Sequence, residues 1–344
     1  MHKKKIKIFL GGYLNYTNAQ NLNCLALAKH LDSAKFTTYA LSVYSLPIIK
    51  SKAIMFNCIY PFRISSVIGF LWGVLKCDVI YLPKHHSTPK LILIISNILG
   101  KKIFTTIENN MCDFERESMI NSFNGKKNLI NYFQRIPNIF GITQYIINSA
   151  KCGVILENKA LYLGVESDIY FAKVRNKLKN IVFVGSLKKR KRVGELLELA
   201  KIFPNINFNI IGDGVDMESL KINATDNVIF YGSLTQVELA YKFNNMDLHI
   251  LPSISEGFPK VILETASAGI PSIVYSNYGA SEWIMNNKNG FIVNDYNELI
   301  STLGLIKDDE NLLKKNSEGA ILLAKKFDWK IVINKWEEII CNLK

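Results

Sequence analysis

The sequence predicts an α/β fold in two domains, each with a parallel sheet covered by helices on both faces. Short apolar runs of strand character alternate with amphipathic stretches of helical length along most of the chain, and this alternation is typical of parallel sheets. The chain has 344 residues, which is long for one hydrophobic core. Apolar residues make up 49% of it, enough for a sizeable core in each domain.

The N-terminal half begins with a strand, a Gly-Gly pair and a helix. Gly11 and Gly12 are predicted to form a turn at the carboxyl edge of the sheet, either as a phosphate-facing loop or as a plain turn. Further α/β units run to Leu163. The predicted strands cover Lys5–Leu10, Thr37–Val43, Ile54–Ile59, Val79–Leu82 and Lys102–Ile107, and the predicted helices cover Ala19–Leu31, Ser65–Lys76 and Pro89–Leu99.

Polar side chains follow two of these strands. His85 and His86 come after Leu82, and Glu108 comes directly after Ile107. Open α/β sheets bind their ligands at the carboxyl ends of strands. A single His in such a place is more often structural than catalytic. For two adjacent His residues, a functional role and a structural role are about equally favoured. His86 and Glu108 are therefore candidate site residues.

The C-terminal half repeats the alternation, after a predicted linker at Gly164–Lys179. Glycines follow several of its strands, namely Gly185, Gly212 and Gly232, and a turn is enough to explain each of them. The predicted strands cover Asn180–Val184, Phe208–Ile211, Val228–Tyr231, Leu248–Leu251 and Ser272–Val274, and the predicted helices cover Val193–Ile202, a segment opened by Tyr278–Glu282, and Asp328–Leu343.

The stretch from Leu251 to Ile270 is the most informative part of the chain. It reads as a strand end, a short loop with Glu256 and Gly257, and a helix that contains Glu264. Free N–H groups and the helix dipole make such a helix start a suitable place for a phosphate. A pair of acids eight residues apart is by itself more often a solvated helix face.

The residues around that pair carry a resemblance to a known family. The pattern PS-x-x-EGFP…E-x-x-A-x-G-x-P, with Glu256 and Glu264 as its E-x7-E pair, resembles the retaining glycosyltransferases of family 4. The resemblance implies the GT-B fold, in which two facing Rossmann-like domains flank a deep interdomain cleft. It implies an acceptor-side domain at 1–165, a nucleotide-sugar domain at 166–326, and a C-terminal helix at 327–344 that crosses back to the first domain.

The resemblance also implies roles for individual residues. Glu264 binds the donor ribose, Glu256 holds hydroxyls of the transferred sugar, and either Lys191 or Arg192 binds the diphosphate. This chain departs from the family with Ser186 in place of an Arg, Glu166 in place of an Asp and Glu108 in place of a His. His86 is a candidate substitute for that His. The other residues implied in donor binding are Gly11, Gly12, Gly185, Ser186, Gly212, Leu234, Gly257, Phe258, Pro259 and Lys260.

The implied activity is metal-independent transfer of a sugar, with retention, from a nucleotide-sugar of the UDP or GDP type. No cofactor or metal is expected, and the sequence has no D-x-D pair. The implied acceptor is a glycan or a lipid-linked molecule in the synthesis of cell-surface polysaccharide such as O-antigen, capsule or lipopolysaccharide. Alternatives are a GT-B epimerase or phosphorylase, or a partner subunit with a degraded site, which Ser186 and Glu108 would explain.

Charge is distributed unevenly along the chain. Residues 1–165 hold 20 Lys and Arg against 7 Asp and Glu, whereas residues 166–344 hold 22 of each, so the whole net charge of +13 lies in the first half. Ordinary solvation explains this, and so does contact with an anionic membrane surface. No nucleic-acid-binding motif accompanies the charge, and nucleic acid is not expected as a partner.

Cysteine usage and hydropathy bear on the compartment. The six cysteines are scattered and show no C-x-x-C spacing, which argues against a zinc site or a disulfide framework and favours reduced thiols. The N-terminus lacks a signal-peptide core, and the longest apolar runs are too short for a membrane span. A cytoplasmic protein is expected, with possible attachment to the inner face of the membrane.

Overall fold

The computed structural model describes residues 4–47, 49–112 and 119–343. The chain divides into two compact units. The first unit contains Met1–Leu163 together with Trp329–Lys344, and the second contains Gly164–Asp328.

The first unit contains a six-stranded parallel sheet with the strand order β3-β2-β1-β4-β5-β6. Parallel strands need crossover connections, which the helices supply. Its strands are β1 (Ile6–Tyr13), β2 (Phe36–Val43), β3 (Ile54–Cys58), β4 (Val79–Tyr81), β5 (Lys102–Ile107) and β6 (Asn138–Gly141), and its helices are α1 (Ala19–His30), α2 (Phe62–Lys76), α3 (Lys90–Ile98), α4 (Met119–Ser122), α5 (Lys126–Phe133), α6 (Gln144–Ser149) and the C-terminal α13 (Trp329–Cys341).

The C-terminal helix α13 is part of the first unit because two tryptophans fix it there. Trp329 and Trp336 are buried, and α13 packs against α1. Trp336 Nε1 donates a hydrogen bond to the carbonyl of Tyr162 at 2.9 Å. Burial of two indoles outweighs the weak helix propensity of the segment.

The second unit repeats the same architecture, with the strand order β12-β11-β10-β7-β8-β9. Its strands are β7 (Asn180–Val184), β8 (Asn207–Ile211), β9 (Val228–Gly232), β10 (Leu248–Leu251), β11 (Ser272–Tyr275) and β12 (Gly290–Val293), and its α-helices are α7 (Val193–Ile202), α8 (Met217–Ile222), α9 (Gln236–Phe243), α10 (Lys260–Ser267), α11 (Tyr296–Asp308) and α12 (Glu310–Lys326). In both units the chain reverses direction along the sheet between two central strands, the point at which open α/β sheets bind ligands.

Every strand predicted from the sequence is present, but two local predictions are wrong. Gly11 and Gly12 lie inside β1 instead of forming a turn. A Cβ on Gly11 would lie 2.8 Å from the Tyr81 carbonyl, and one on Gly12 would lie 2.8 Å from Cys24 Sγ, so close packing explains both glycines. The segment at Tyr278–Glu282 does not open an α-helix, because Gly279 has φ of 76° and separates two 3-10 turns.

The prediction of six reduced thiols is also wrong. Cys112 and Cys152 form a disulfide whose Cα atoms are 5.4 Å apart. The two residues are 40 positions apart in sequence and are brought together only by the tertiary fold. Cys24, Cys58 and Cys77 are buried, Cys341 is exposed, and these four are not part of the disulfide. The cysteines therefore no longer support a reducing compartment.

Among the described residues, none of the helices combines the length and the apolar character that crossing a bilayer requires.

Candidate functional site

The loop between β10 and α10 holds the centre of the candidate site. Helix α10 begins at Lys260 with Pro259 as its N-cap, and no side chain caps it. It ends before Gly269, which has φ of 77° and on which a Cβ would lie 2.2 Å from the Lys173 carbonyl. Glu256 lies in the loop and Glu264 in the second turn of α10.

Two cations hold Glu256 in place. Lys191 Nζ donates a hydrogen bond to Glu256 Oε1, and Arg190 Nη1 lies 3.3 Å from the same oxygen. Arg190 also donates to the carbonyl of Ser255 and accepts at its own carbonyl from the N–H of Ile254, at 3.0 Å. The loop is thus tied to the 3-10 turn Lys189–Lys191 by charge-assisted hydrogen bonds.

The two candidate diphosphate ligands have different surroundings. Lys191 is 9% exposed and lies against Glu256. Arg192 is the N-cap of α7 and has a left-handed backbone conformation with φ of 49°. Its side chain makes different contacts from that of Lys191. Its Nη1 lies 3.2 Å from Glu195 Oε1, and its guanidinium covers the ring of Tyr275 at 5.6 Å.

Buried polar groups lie under the ion pair. Burial lowers the pKa of Lys191, and the carboxylate of Glu256 opposes that shift. His249 on β10 is fully buried, and burial followed by the nearby Lys191 charge lowers its pKa to about 3. His249 Nδ1 lies 2.9 Å from Ser272 Oγ, whereas His249 Nε2 and the Tyr278 hydroxyl lack partners among the described residues. A buried, neutral imidazole, that of His249, therefore lies close to Lys191.

Glu264 has a different environment from Glu256. No hydrogen bond to its carboxylate exists among the described residues, and burial raises its pKa, opposed by the charge of Lys260. Tyr170 lies near enough for Glu264 to raise the pKa of its hydroxyl, after the larger effect of burial. A half-buried carboxylate without donors is well suited to accept hydrogen bonds from the hydroxyls of a ligand.

The glycine-ended strands β7 and β8 bring two loops into contact at the same sheet edge. Gly212 has φ of 134°, and a Cβ on it would lie 1.9 Å from the Gly185 carbonyl. A Cβ on Gly185 would lie 3.7 Å from Lys191 Cε. Leu187 N–H donates to the Asp213 carbonyl at 2.9 Å. Ser186 is part of this double loop, so the structure places Gly185, Ser186, Gly212 and Lys191 together.

Of the remaining predicted donor residues, Phe258 has a clear packing role. Its ring centroid lies 5.0 Å from that of Trp283 and 5.6 Å from that of Phe327, so its side chain anchors the loop to the core. Gly257 and Pro259 are buried beside it, while Lys260 and Leu234 are half-buried.

In the first unit, Glu108 follows β5, as predicted, and is held by α1. Asn23 Nδ2 donates to Glu108 Oε1 at 2.9 Å, and Thr106 Oγ1 donates to the same oxygen at 3.4 Å. His86 is exposed, and its ring contacts that of Phe123 in a tilted arrangement with centroids 4.6 Å apart. His86 lines a cavity of about 600 Å³ for which Glu108 is not a lining residue.

A second cavity of the first unit was not anticipated from the sequence. It has a volume of about 840 Å³ and lies at the carboxyl ends of β1 and β2. Lys84 Nζ lies 4.9 Å from the ring centroid of Tyr13 and 6.0 Å from that of Tyr16, and burial lowers the pKa of Lys84. The lining is mainly apolar, with two cations, and includes Tyr13, Tyr16, Leu46, Phe62, Arg63 and Lys84.

The second unit matches a known protein family. Residues 166–322 fit the family model described as "Glycosyl transferases group 1". This match covers the Glu256–Lys191 pair, the double glycine loop and Glu264.

Named relatives agree with the domain match. An uncharacterized glycosyltransferase of Haemophilus influenzae is 28% identical over 49% of this chain and 50% of its own length. The UDP-Gal:alpha-D-GlcNAc-diphosphoundecaprenol alpha-1,3-galactosyltransferase of Escherichia coli is 32% identical over 40% of each chain. The chain thus spans half or less of the length of these curated relatives.

A solved structure extends the likeness of fold to both units. HepE of Anabaena, in complex with UDP and glucose, is similar with a TM-score of 0.79 at 15% identity, over 98% of this chain and 100% of that one. The predicted α/β fold class of the GT-B type, with two parallel sheets, is confirmed.

Sequence reasoning missed three residues of this site. Arg190 lies in a run of five cations, 188–192, of which only Lys191 and Arg192 were candidate ligands. His249 and Tyr278 lie in apolar surroundings, so nothing in the pattern distinguished them from core residues. The position of a His inside the strand Leu248–Leu251, directly before the loop with Glu256, was the available signal.

Proposed function

We propose that this protein is a retaining glycosyltransferase that transfers a sugar from a UDP- or GDP-sugar without a metal ion. The observation that carries the proposal is the buried contact between Lys191 and Glu256, inside a glycosyl transferases group 1 domain. Lys191, in a 3-10 turn, provides a buried cation for the diphosphate. Glu256, in the neighbouring loop, provides a carboxylate for the hydroxyls of the sugar.

The chemistry follows from where charge develops. As the bond between sugar and diphosphate breaks, negative charge builds on the leaving group, and a preorganised cation stabilises it. Lys191 supplies that cation, and the N–H groups at the start of α10 supply dipoles. Glu256 then accepts hydrogen bonds from sugar hydroxyls, and Glu264 accepts them from the ribose.

The acceptor in this proposal is a glycan carried on a lipid diphosphate. The cavity of the first unit offers aromatic rings for a sugar face, apolar walls, and the cations Arg63 and Lys84 for a phosphate. The E. coli relative is named for an acceptor of this class. The product would enter cell-surface polysaccharide, and the protein would work at an anionic membrane surface.

The test is the pair of variants Glu256→Gln and Lys191→Gln. Release of nucleotide from a panel of UDP- and GDP-sugars is measured with a lipid-diphosphate acceptor, with and without a chelator. Each variant is expected to lower kcat roughly 100- to 1,000-fold, the usual effect of removing one charge-stabilising group. The chelator is expected to leave the wild-type rate unchanged.

Lys189→Gln is the matched control, because Lys189 belongs to the same cationic run but is exposed. It is expected to keep the wild-type rate, and circular dichroism verifies that all three variants fold. Normal turnover by Lys191→Gln would remove Lys191 from the site. Tight nucleotide binding by the wild type with no turnover of any donor would instead favour a non-catalytic partner subunit.

A further inference from the structure

Helix α2 of the first unit exposes an apolar stripe to solvent. Ile64, Ile68 and Leu75 are 62%, 51% and 65% exposed, and their spacing of four and seven residues places them on one face of the helix. The opposite face is already used, because Phe70 and Val74 are buried against the sheet. The helix is therefore apolar on both its inner and its outer side.

Helix α3 continues the same surface. Leu91, Ile94 and Ile98 are exposed and share one face of α3, while Ile92 and Leu93 are buried on the other. Helices α2 and α3 pack against each other on one side of the sheet, and each has an exposed apolar stripe. We call this surface the α2–α3 face, formed by Ile64, Ile68, Leu75, Leu91, Ile94 and Ile98.

The surroundings of the α2–α3 face are strongly basic. Residues 62–102 contain six Lys and Arg and one acidic residue, Asp78. The exposed cations of this segment are Arg63, Lys76, Lys90 and Lys102. A contiguous exposed apolar surface marks an interaction site, and cations around it favour an anionic partner.

We propose that the α2–α3 face lies on the anionic phospholipid surface of a membrane. Helices with an apolar outer stripe and flanking Lys or Arg insert the stripe at the boundary between headgroups and acyl chains, and each cation near an anionic leaflet strengthens the attraction. A second copy of the chain fits less well as the partner. A two-fold contact would place the cations around one α2–α3 face opposite the same cations of the other copy.

The cavity described above adjoins this surface. Phe62, Arg63 and Val67 of α2 line it, and so does Pro89, which precedes α3. With the α2–α3 face in the membrane, the cavity opens near the bilayer, where a lipid diphosphate acceptor would be found. This last consequence rests on the proposed function, whereas membrane docking does not.

Vesicle sedimentation tests the docking directly. Wild-type protein is expected to bind vesicles that contain phosphatidylglycerol and not vesicles of phosphatidylcholine alone, and added salt is expected to weaken binding. The apolar variant Ile68→Asn with Ile94→Asn, and the charge variant Lys76→Gln with Lys90→Gln, are each expected to bind about tenfold more weakly.

Matched controls lie in the second unit. Ile222→Asn with Val237→Asn replaces two apolar residues that are even more exposed, at 83% and 75%, and Lys288→Gln with Lys314→Gln replaces two exposed cations; both double variants are expected to bind as wild type does. Because nucleotide release from a soluble donor is measured separately, loss of vesicle binding with intact turnover is distinguishable from failure of the proposed function.

Trp72 gives a readout that requires no substitution. It is a half-buried residue of α2, and the chain has three other tryptophans, which are buried. Brominated phosphatidylglycerol is expected to quench its fluorescence. Absence of binding to anionic vesicles, or binding that all variants retain, would overturn the proposal. Self-association in solution that the apolar variant abolishes, without vesicle binding, would assign the face to a second copy.

Discussion

At the scale of single residues, the two glutamates of the candidate site differ in how the protein prepares them. Glu256 is neutralised by Lys191 and Arg190, whereas Glu264 has no hydrogen-bond donor among the described residues and has a raised pKa because of burial. An ionised group in such a position costs stability, which a bound ligand with hydroxyl donors would restore.

Glu264→Gln is therefore expected to stabilise the free protein. Since the folded-state pKa of Glu264 is raised, its protonated form contributes stability at low pH that is lost as pH rises through that pKa. At pH 8 the variant should unfold about 2–4 °C higher than wild type, for a gain of about 1 kcal/mol. The advantage should shrink as pH falls toward about 4.5. Thermal unfolding across this pH range measures both effects.

The same variant should lose most of the thermal stabilisation that a UDP-sugar donor gives the wild type. Glu318→Gln, at an exposed position of α12, serves as the control and should change neither property. A Glu264→Gln protein that is less stable at pH 8 would contradict the account of this carboxylate.

The choice between Lys191 and Arg192 shows how far residue types can predict a site. The family resemblance left these two neighbours as candidates for binding a diphosphate, and composition could not separate them. Arg192 has a left-handed φ at the junction of a 3-10 turn and α7. Its side chain contacts Glu195, whereas that of Lys191 contacts Glu256. Such a junction depends on how the loop packs, which no local pattern encodes.

At the scale of elements, the strands were predictable and the glycines were not. Strands such as Asn180–Val184 and Leu248–Leu251 are buried apolar runs, so their existence and limits follow from hydrophobicity alone. Gly12 and Gly212 both read as turns, but Gly12 continues β1 against α1. A glycine that allows a close approach cannot be told from a turn glycine without its neighbour.

Gly212→Ala should therefore be costly. The substitution combines φ of 134° with a Cβ 1.9 Å from the Gly185 carbonyl, so the double loop must shift. We expect a loss of at least about 2 kcal/mol in the free energy of unfolding and a fall of about 4–8 °C in Tm. Donor affinity should weaken too, because Gly185 lies next to Lys191.

The control for that experiment is Gly304→Ala in the middle of α11. Nothing lies within 4 Å of a Cβ at Gly304, and alanine has the higher helix propensity. This variant should gain about 0.5–1 kcal/mol. A Gly212→Ala protein with the wild-type Tm would show that the two loops are not held as described.

At the scale of the whole molecule, sequence averages were informative about composition and misleading about contacts. The uneven charge was visible in a count of residues. Six of the 20 Lys and Arg of residues 1–165 lie in the segment 62–102, which carries the α2–α3 face. The Cys112–Cys152 disulfide was missed because pairing depends on two loops that meet through the fold. Spacing arguments apply to cysteines that are close in sequence, and these are 40 residues apart.

Each unit also buries one neutral histidine, and together they predict an acid-sensitive protein. His85 in the first unit lies 2.8 Å from Thr105 Oγ1 through its Nε2, and His249 occupies the second unit. Burial lowers the pKa of each to about 3, with smaller effects from the neighbouring charges of His86 and Lys191 respectively. Both imidazoles are neutral in the folded state at pH values where the unfolded chain is protonated.

Folded-state pKa values below the unfolded value give stability that is complete above about pH 6.5 and is lost as pH falls toward about 3. Each histidine should contribute a slope of about 1.4 kcal/mol per pH unit in that window. His85→Gln and His249→Asn, which can keep the contacts to Thr105 and Ser272, should each unfold at lower temperature than wild type at pH 7.5 but lose stability less steeply below pH 6. His30→Gln, at a half-buried position of α1, serves as the control for replacing a histidine elsewhere in the chain. If neither substitution of a buried histidine changes the dependence of Tm on pH, burial of the two imidazoles is not the cause of the acid sensitivity.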